Sequence, residues 1–337
     1  ILDSVNPDGN LEGVPENWQK TDATLTLSCS DDGGSGCDNA GNYLTIVPHG
    51  TSCDATDAYT GPVSVSEHST ACWKVTDNAG NTKTGSEEIK VDKSNPSFIS
   101  ITPENTAIEK GDDVTITAEV SDTGGSGVEK VELYLDSVFS GELVDGEINT
   151  GALTETTEYY LIAYDNAGNT QTSDTFTITV HDLIWNLSSE WNLVSVPKEL
   201  VDPNKNNLVG SDATVYKYYN EEWTINPLTI EPGYGYWINN AGNQEVGLNY
   251  LEESAGGSIP TGDINLDLMT TGWNLMGITT INSSKEVQDV FKSPVTQEWV
   301  PGLFYVVSYD ESEDEFEFMN ADSPIIPGEG YWVYKTQ

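Results

Sequence analysis

The 337-residue chain contains no arginine, and its 13 basic residues are outnumbered by 55 acidic ones, which gives a net charge of −42. Recognition of phosphate groups relies on arginine forks and basic patches, so this composition argues against nucleic-acid binding. An anionic membrane surface would repel the chain for the same reason. The charge suits solubility and surroundings rich in calcium or salt.

Long apolar runs and long amphipathic helical patterns are also missing. No stretch approaches the 18 or so apolar residues of a membrane span. Short alternating runs lie between clusters of Gly, Asn, Asp and Pro, a pattern that predicts an all-β protein built from sandwiches. The chain begins at Ile1 without a methionine or an apolar signal, which we interpret as a processed protein or an excised fragment.

Motifs of catalytic sites are absent from the sequence. It holds no Gly-x-Ser-x-Gly elbow, P-loop, His-Glu-x-x-His or dinucleotide fingerprint. Carboxylate pairs are too abundant to mark a site. The three histidines (His49, His68, His181) cluster with nothing in the sequence, so the spacing for a Cys/His metal site is poor. We therefore predict a non-enzymatic protein with no cofactor, apart from calcium as discussed below.

The first half of the chain is duplicated. The stretch "LSCSDDGGSGC" aligns with "AEVSDTGGSGV", and "VTDNAGNTKT" aligns with "AYDNAGNTQT". This alignment places Asp31 on Asp122 and Asp77 on Asp165. The spacing predicts two tandem sandwiches of about 90 residues, joined through "VDKSNPSF". Their predicted bounds are 1–93 and 94–182.

All four cysteines lie in the first of these modules, and their even number favours disulfides and an oxidising, extracellular setting. Cys29 and Cys37 replace a valine pair of the second module, which suggests two residues already in contact. Because successive side chains of a strand point to opposite faces, we expect Cys29 to point inward and Cys72 outward, which argues against a bond between them. We predict the pairs Cys29–Cys37 and Cys53–Cys72, with reduced thiols or a metal site as the alternatives.

The pentapeptide "DNAGN" occurs at Asp38, Asp77 and Asp165, with a near copy, "NNAGN", at Asn239. An aspartate at a strand end accepts hydrogen bonds from backbone amides two or three residues on, and glycine adopts a positive φ without steric cost. We therefore interpret the pentapeptide as the loop of a hairpin. The copy at Asp38 breaks the modular spacing and is consistent with a chance match.

The repeat also predicts a calcium site where the modules meet. In an immunoglobulin-like sandwich the loops after the second and sixth strands lie at one end, so Asp122 should lie beside Asp165 and Asp31 beside Asp77. Asp92 of the linker should approach the first of these pairs. Three carboxylates and nearby loop carbonyls make a hard-oxygen site. The alternative, favoured by how often aspartate caps turns, is that each aspartate only caps its own loop.

The succession of "SDxGGSG" and "DNAGN" resembles the bacterial and archaeal immunoglobulin-like modules of large cell-surface and secreted proteins. The resemblance covers residues 1–182. The resemblance implies a type of module that occurs in stalks, adhesins and enzyme appendages, so it does not identify the function of the whole protein.

A second duplication begins near residue 183. "EWNLVSVP" pairs with "GWNLMGIT", and "EPGYGYWI" pairs with "IPGEGYWV". The predicted modules span 183–258 and 259–337, and one short helix is predicted within Asn282–Ser293. These motifs resemble β modules that recur, often C-terminally, in archaeal and bacterial surface proteins. That resemblance implies a location rather than a chemistry.

The tryptophans of these motifs could stack on sugar rings. However, they occupy matching positions in the two repeats and are flanked by apolar strand residues, which favours core positions. Trp223 and Trp299 lie outside the paired motifs and are better candidates for exposed contacts. The sequons at Asn186 and Asn282 could carry glycans. The four tryptophans predicted to be core residues are Trp191, Trp237, Trp273 and Trp332.

These features predict a non-enzymatic extracellular structural protein of a surface layer, filament or adhesive stalk. It would act through rigid tandem β modules whose strand edges contact further copies of itself. Other cell-surface components and polysaccharide are further candidate partners. The alternative is a carbohydrate-binding or accessory segment of a larger secreted enzyme.

Overall fold

The computed structural model describes residues 3–252, 269–279, 285–292, 303–310 and 315–336. Within these ranges the protein is almost entirely β-structure, which confirms the predicted fold class. No helix there is long and apolar enough to cross a membrane. The chain divides into two compact units, and the predicted four-module boundaries stay a prediction. The first unit comprises 1–106, 113–152 and 157–178, and the second 107–112, 153–156 and 179–337.

The first sandwich consists of two antiparallel three-stranded sheets, in the strand orders β1-β2-β4 and β3-β5-β6. Leu25 and Leu27 alternate on one sheet, and Ala71, Trp73 and Val75 alternate on the other, all of them buried. Period-2 burial of this kind follows from the side-chain alternation of a strand. The strands are β1 (Asp8–Glu12), β2 (Ala23–Ser30), β3 (Tyr43–Pro48), β4 (Val63–Val65), β5 (Ser69–Thr76) and β6 (Thr82–Ile89).

The second sandwich combines a sheet of order β12-β9-β7 with one of order β11-β10-β13-β15-β8, in which β14 also pairs with β13. Tyr159, Leu161 and Ala163 are alternate residues of one strand, and all three are fully buried. The strands are β7 (Ser97–Thr102), β8 (Thr106–Glu109), β9 (Thr115–Ser121), β10 (Val128–Leu135), β11 (Val138–Glu142), β12 (Glu147–Asn149), β13 (Thr157–Asp165), β14 (Thr170–Thr172) and β15 (Phe176–His181).

Two disulfides link the cysteines of the first sandwich in the predicted pairing, Cys29–Cys37 and Cys53–Cys72. Cys72 lies on β5 between the inward-facing Ala71 and Trp73, on the opposite face of the sheet. The bond to Cys53 ties the loop that follows β3 to that outer face. An inter-sheet bond from Cys29 to Cys72 would require Cys72 to point into the core, where Trp73 already packs.

Peptide mapping of the unreduced protein should recover Cys29–Cys37 and Cys53–Cys72, and a peptide linking Cys29 to Cys72 would contradict the pairing. Loop-closure entropy for sequence separations of 8 and 19 residues predicts that the bonds stabilise the fold by about 2.5 and 3 kcal/mol. Denaturation of the Cys→Ser pair variants, each compared with the wild type, measures these two values.

The second unit contains two β repeats that follow the sequence duplication. The first repeat has a sheet of order β17-β20-β18-β19 and a ribbon of β16 with β21, and the second has a sheet of order β22-β25-β23-β24. The strands are β16 (Leu183–Leu187), β17 (Glu190–Ser195), β18 (Thr214–Tyr219), β19 (Glu222–Ile225), β20 (Gly235–Asn240), β21 (Gln244–Leu248), β22 (Gly272–Gly277), β23 (Phe304–Asp310), β24 (Glu315–Phe318) and β25 (Gly330–Lys335).

The asparagine of each "WNL" motif is a buried structural residue. Asn192 is 0% exposed, and its amide group donates to the carbonyls of Ser188, Glu190 and Ile238 at 3.1–3.3 Å. Its carbonyl oxygen accepts from the amide of Ser188 at 2.7 Å. Asn274 forms the same set of bonds in the second repeat. The motif is therefore explained by turn chemistry inside the fold.

The prediction that the four motif tryptophans form the module cores is wrong. Trp191 and Trp273 are 37% and 42% exposed, while the tyrosine that precedes each of the other two tryptophans is fully buried. Tyr236 and Tyr331 fill the core positions, and each hydroxyl bonds to backbone five residues earlier. Since neighbouring side chains of a strand point to opposite faces, the tryptophans after these tyrosines point away from the cores.

That other face is where the two repeats pack together. Gly235 lies so close to Leu275 that a Cβ there would come within 2.8 Å of its side chain, and Gly330 lies equally close to Leu193. The amide of Ser195 donates to the carbonyl of Gly328 at 2.6 Å. The glycine of each "GYW" motif is thus required by the close approach of the partner repeat.

Helices in the described residues are few and short. In the described part of the predicted helix Asn282–Ser293, residues Val287–Val290 form α2, whose N-cap is Glu286. Residues 280–284 and 293 lie outside the described residues. A second helix, α1 (Lys205–Val209), was not predicted, and it begins at the Asn204 cap and ends at Gly210, which has positive φ. The Asp38 copy of the pentapeptide itself forms a short 3-10 helix, Asn39–Gly41, which is capped by the Asp38 side chain.

Candidate functional site

Three predicted carboxylates meet at the junction of the two sandwiches. Oxygen atoms of Asp92, Asp122 and Asp165 all lie within 4.8 Å of one another. Asp165 ends β13, Asp122 follows β9, and Asp92 belongs to the linker between the sandwiches. Asp92 and Asp165 are 5% and 0% exposed. The site therefore concentrates negative charge where water has little access.

Asp92 is held by both sandwiches. Its amide donates to the carbonyl of Gln19 in the first sandwich at 3.0 Å, and its carbonyl accepts from the Asn169 side chain in the second, also at 3.0 Å. Its carboxylate accepts from the amides of Ser94 and Ser126 at 2.9 and 2.6 Å. The linker is therefore fixed on both sides of this one residue.

The two repeated motifs lock onto each other at this site. The Asp165 carboxylate accepts from the amides of Ala167 and Asn169 at 2.9 and 2.8 Å, so it caps its own "DNAGN" loop. The Asn166 side chain donates to the carbonyl of Ser126 in the "GGSG" loop, and the hydroxyl of Ser126 accepts from the amide of Ala167. The capping interpretation of the pentapeptide holds, and the carboxylates also converge.

The electrostatics of the junction favour a counter-ion. Burial raises the pKa of Asp122, a hydrogen bond from the Gly127 amide opposes this effect, and the nearby charges of Asp92 and Asp165 raise the pKa further. Like charges that raise one another's pKa are relieved by a bound cation. Calcium accepts six to eight oxygen ligands, so the three carboxylates would need carbonyls and water to complete its shell.

The first sandwich carries a second triad, formed by Asp31, Asp77 and Asp3. Asp3 occupies the place of Asp92: its carboxylate accepts from the amides of Val5 and Ser35 at 3.0 and 2.6 Å. Sequence reasoning did not include Asp3. The signal was available, because "LDSVNP" at the start of the chain repeats the pattern of "VDKSNP" in the linker.

Asp3 and Asp77 of this triad differ from Asp122 of the junction triad in the direction of their pKa shifts. Hydrogen bonds from the amides of Val5 and Ser35 lower the pKa of Asp3. Burial raises the pKa of Asp77, but hydrogen bonds from the side chain and amide of Asn81 outweigh that effect, so its pKa is lowered overall. In the junction triad, by contrast, burial raises the pKa of Asp122.

An apolar groove of about 510 Å³ forms a second candidate site, on the paired faces of the two repeats. Trp332 lies 5.4 Å from Tyr218 and 5.9 Å from Trp223 between ring centroids. Trp223 is 49% exposed, as predicted for a surface contact. Trp299 lies outside the described residues. The lining consists of Tyr218, Trp223, Trp273, Val307, Phe316, Phe318 and Trp332.

Two further predictions concern single residues. The sequon residue Asn186 is exposed on β16, and Asn282 lies outside the described residues. The prediction that the histidines cluster with nothing is wrong for two of them, because His49 and His68 stack with ring centroids 4.0 Å apart.

Comparison with known proteins concerns the second sandwich. Residues 96–180 match the family model of the bacterial Ig domain. The matched segment contains Asp122 and Asp165, and Asp92 lies four residues before its first position. No curated protein matches the chain.

Several solved structures are similar to the chain at low identity. Fibronectin(III)-like modules of CbhA from Clostridium thermocellum are 18% identical, cover 51% of this chain and 94% of theirs, and give a TM-score of 0.28. A three-domain Ig segment of titin is 10% identical, with coverages of 82% and 95% and a TM-score of 0.38. A structure of a 1.5-MDa bacterial ice-binding adhesin is 17% identical, with coverages of 71% and 88% and a TM-score of 0.26. Scores this low carry no functional argument.

Proposed function

We propose that the protein is a non-enzymatic, extracellular structural protein in which rigid tandem β modules form part of a surface layer, filament or adhesive stalk. The observation that carries this proposal is the linker residue Asp92, which bonds to Gln19 on one side and to Asn169 and Ser126 on the other. A linker fixed in this way transmits orientation from one sandwich to the next. Two disulfides in the first sandwich support an oxidising setting.

Calcium is the proposed ligand of both aspartate triads. At the junction it would bind Asp92, Asp122 and Asp165, and in the first sandwich it would bind Asp31 and Asp77 together with Asp3. Oxygen-only donors suit a hard cation. Because Asp92 belongs to the linker, an ion there would stiffen the junction as well as neutralise it.

Self-association is proposed through the edge strand β11. This strand ends its sheet, and it exposes Val138 and Phe139 at 67% and 52%. Val144, two residues after the strand, is 70% exposed. An edge that leaves backbone groups and apolar side chains uncovered can pair with the same edge of a second copy.

A second candidate function, carbohydrate binding, is favoured by the apolar groove. Exposed aromatic faces can stack on sugar rings, and Trp223 and Trp273 are 49% and 42% exposed there. The protein would then serve as a carbohydrate-binding or accessory segment of a larger secreted enzyme.

The two candidates separate in one set of experiments on the purified full chain in millimolar calcium. The structural proposal expects ordered polymers in negative-stain images, and Phe139→Lys should abolish them because it puts a charge on the edge strand. Leu228→Lys is the matched control, since Leu228 is 86% exposed and lies outside any strand.

Retention on polysaccharide gives the opposing result. If the chain stays monomeric at high concentration but is retained on a polysaccharide column, and Trp223→Ala elutes freely, carbohydrate binding replaces the structural proposal. Polymers that survive Phe139→Lys would show that the contact lies elsewhere than on β11.

A further inference from the structure

A cluster of two histidines and a glutamate lies at one end of the sheet formed by β3, β5 and β6. His49 follows β3 and His68 precedes β5, and the register that pairs Pro48 with Ser69 sets the histidines opposite each other. The amide of His49 donates to the carbonyl of His68 at 3.2 Å. Glu88 on β6 pairs with Thr70 and so lies beside both imidazoles.

The potential ligand atoms already converge. His68 Nε2 is 2.9 Å from Glu88 Oε1, and His49 Nδ1 is 3.9 Å from the same oxygen. In a tetrahedral zinc site, bonds of 2.0–2.1 Å place ligand atoms about 3.3 Å apart. The observed distances lie on either side of that value, and because the two rings are stacked with their planes 14° apart, one imidazole must turn before both nitrogens can face a single ion.

The surroundings suit an accessible metal site on a rigid frame. The side chains of His68, Glu88 and His49 are 21%, 41% and 45% exposed, which leaves room for water ligands and for entry of an ion. The Cys53–Cys72 disulfide ties the loop after His49 to β5, the strand that follows His68. The strongly acidic chain raises the local concentration of cations.

We propose that His49, His68 and Glu88 bind a divalent transition-metal ion of the zinc and copper class. Two imidazole nitrogens and one carboxylate oxygen would supply the protein ligands, and water would complete the shell. Imidazole selects zinc, copper and nickel over calcium, whereas the aspartate triads offer only oxygen. The chain would therefore separate hard and borderline cations between different sites.

Calorimetric titration of the full chain with zinc, in millimolar calcium to occupy the oxygen sites, tests the proposal. We expect one zinc ion per chain, with affinity at least about tenfold weaker in His49→Ala and in His68→Ala. His181→Ala is the matched control and should bind as the wild type does. His49 is the more exposed of the pair, so His49→Ala keeps the test valid if His68→Ala fails to fold.

Electron paramagnetic resonance with copper(II) provides a second readout. The wild type should show coupling to two nitrogens, and each single histidine variant should show coupling to one. Equal zinc affinity in the wild type and His49→Ala, or a copper spectrum unchanged by that substitution, would overturn the proposal. In that case the cluster is only the structural hydrogen bond between His68 and Glu88.

Discussion

Asp92→Asn should lower the stability of the calcium-loaded protein and remove one calcium ion per chain. An ion that binds only the folded state at a hundred times its Kd contributes about 2.7 kcal/mol. For a sandwich of this size, that free energy corresponds to a shift in Tm of roughly 15 °C. Calorimetry should detect two calcium ions in the wild type, one in Asp92→Asn and none in Asp3→Asn/Asp92→Asn.

The design uses the duplication as an internal check. Asp3 and Asp92 occupy equivalent places in the two triads, so each single variant should leave the other ion bound. Asp174→Asn is the matched control, because Asp174 is exposed on the same unit and belongs to neither triad. If EDTA leaves the wild-type Tm unchanged and Asp92→Asn behaves as wild type, the aspartates only cap their loops.

The pH dependence has a definite sign at the junction. Burial raises the pKa of Asp122, so the folded state binds a proton that the unfolded state has already released. In EDTA, the contribution of Asp122 to the free energy of unfolding is therefore favourable at low pH, and it is lost as the pH rises through the folded-state pKa. The lowered pKa of Asp77 acts in the opposite sense, with stability lost as the pH falls through its folded-state value. Saturating calcium should remove the loss of stability that Asp122 causes as the pH rises. Melting curves recorded across acidic pH, with calcium and with EDTA, measure this difference.

Asn192→Ala should destabilise the second unit by about 3–5 kcal/mol. The substitution removes the side-chain hydrogen bonds to the carbonyl of Ile238 and the amide of Ser188, and the loss of each bond to a buried polar group costs about 1–3 kcal/mol. Asn274→Ala should cost a similar amount in the second repeat, where the same bonds recur. Tryptophan fluorescence during denaturation follows this unit, since only Trp18 and Trp73 lie before residue 183.

Asn186→Ala is the control for this prediction. Asn186 lies on the neighbouring strand β16 but is exposed, so its loss should change the unfolding free energy by less than about 0.5 kcal/mol. A cost below about 1 kcal/mol for Asn192→Ala would mean that the "WNL" asparagine is not what holds the turn. The motif would then need a functional explanation.

The sequence predicts the aspartate triad at the junction because that site rests on local patterns. Asp122 and Asp165 sit in motifs that recur at nearly constant spacing, and sandwich topology brings such loops to one end. Asp3 was missed although its surroundings repeat those of Asp92, because the duplication was aligned from the glycine-rich loop onward. A shared "DxxNP" pattern would have found it.

The tryptophans show why the alternation of side chains along a strand did not identify the core residues of the second unit. A strand with one solvated face alternates apolar and polar residues, but both faces of these sheets are covered. One face holds Tyr236 in the core of the first repeat, and the opposite face presents Trp237 beside Tyr309 of the second repeat. The sequence is apolar at both positions, so it does not distinguish the core face from the face between the repeats.

The histidine cluster shows a different limit. His49 and His68 are 19 positions apart in sequence, in segments without a repeated partner to align against. Only the strand register that pairs Pro48 with Ser69 brings them together. Register depends on the packing of the whole sheet, so a metal site built across it leaves no spacing signature in the sequence.

The disulfides of the first sandwich also set how far this module can extend under a pulling force. A cross-linked span cannot lengthen, even when the surrounding strands separate. The segments closed by the two disulfides span 8 and 19 residues. At about 3.5 Å per residue, they would otherwise add roughly 30 and 65 Å to the length of the extended chain. The second sandwich contains no cysteine, so it would extend over its whole length. In a stalk under load, the first sandwich would therefore extend less on unfolding than the second sandwich that follows it.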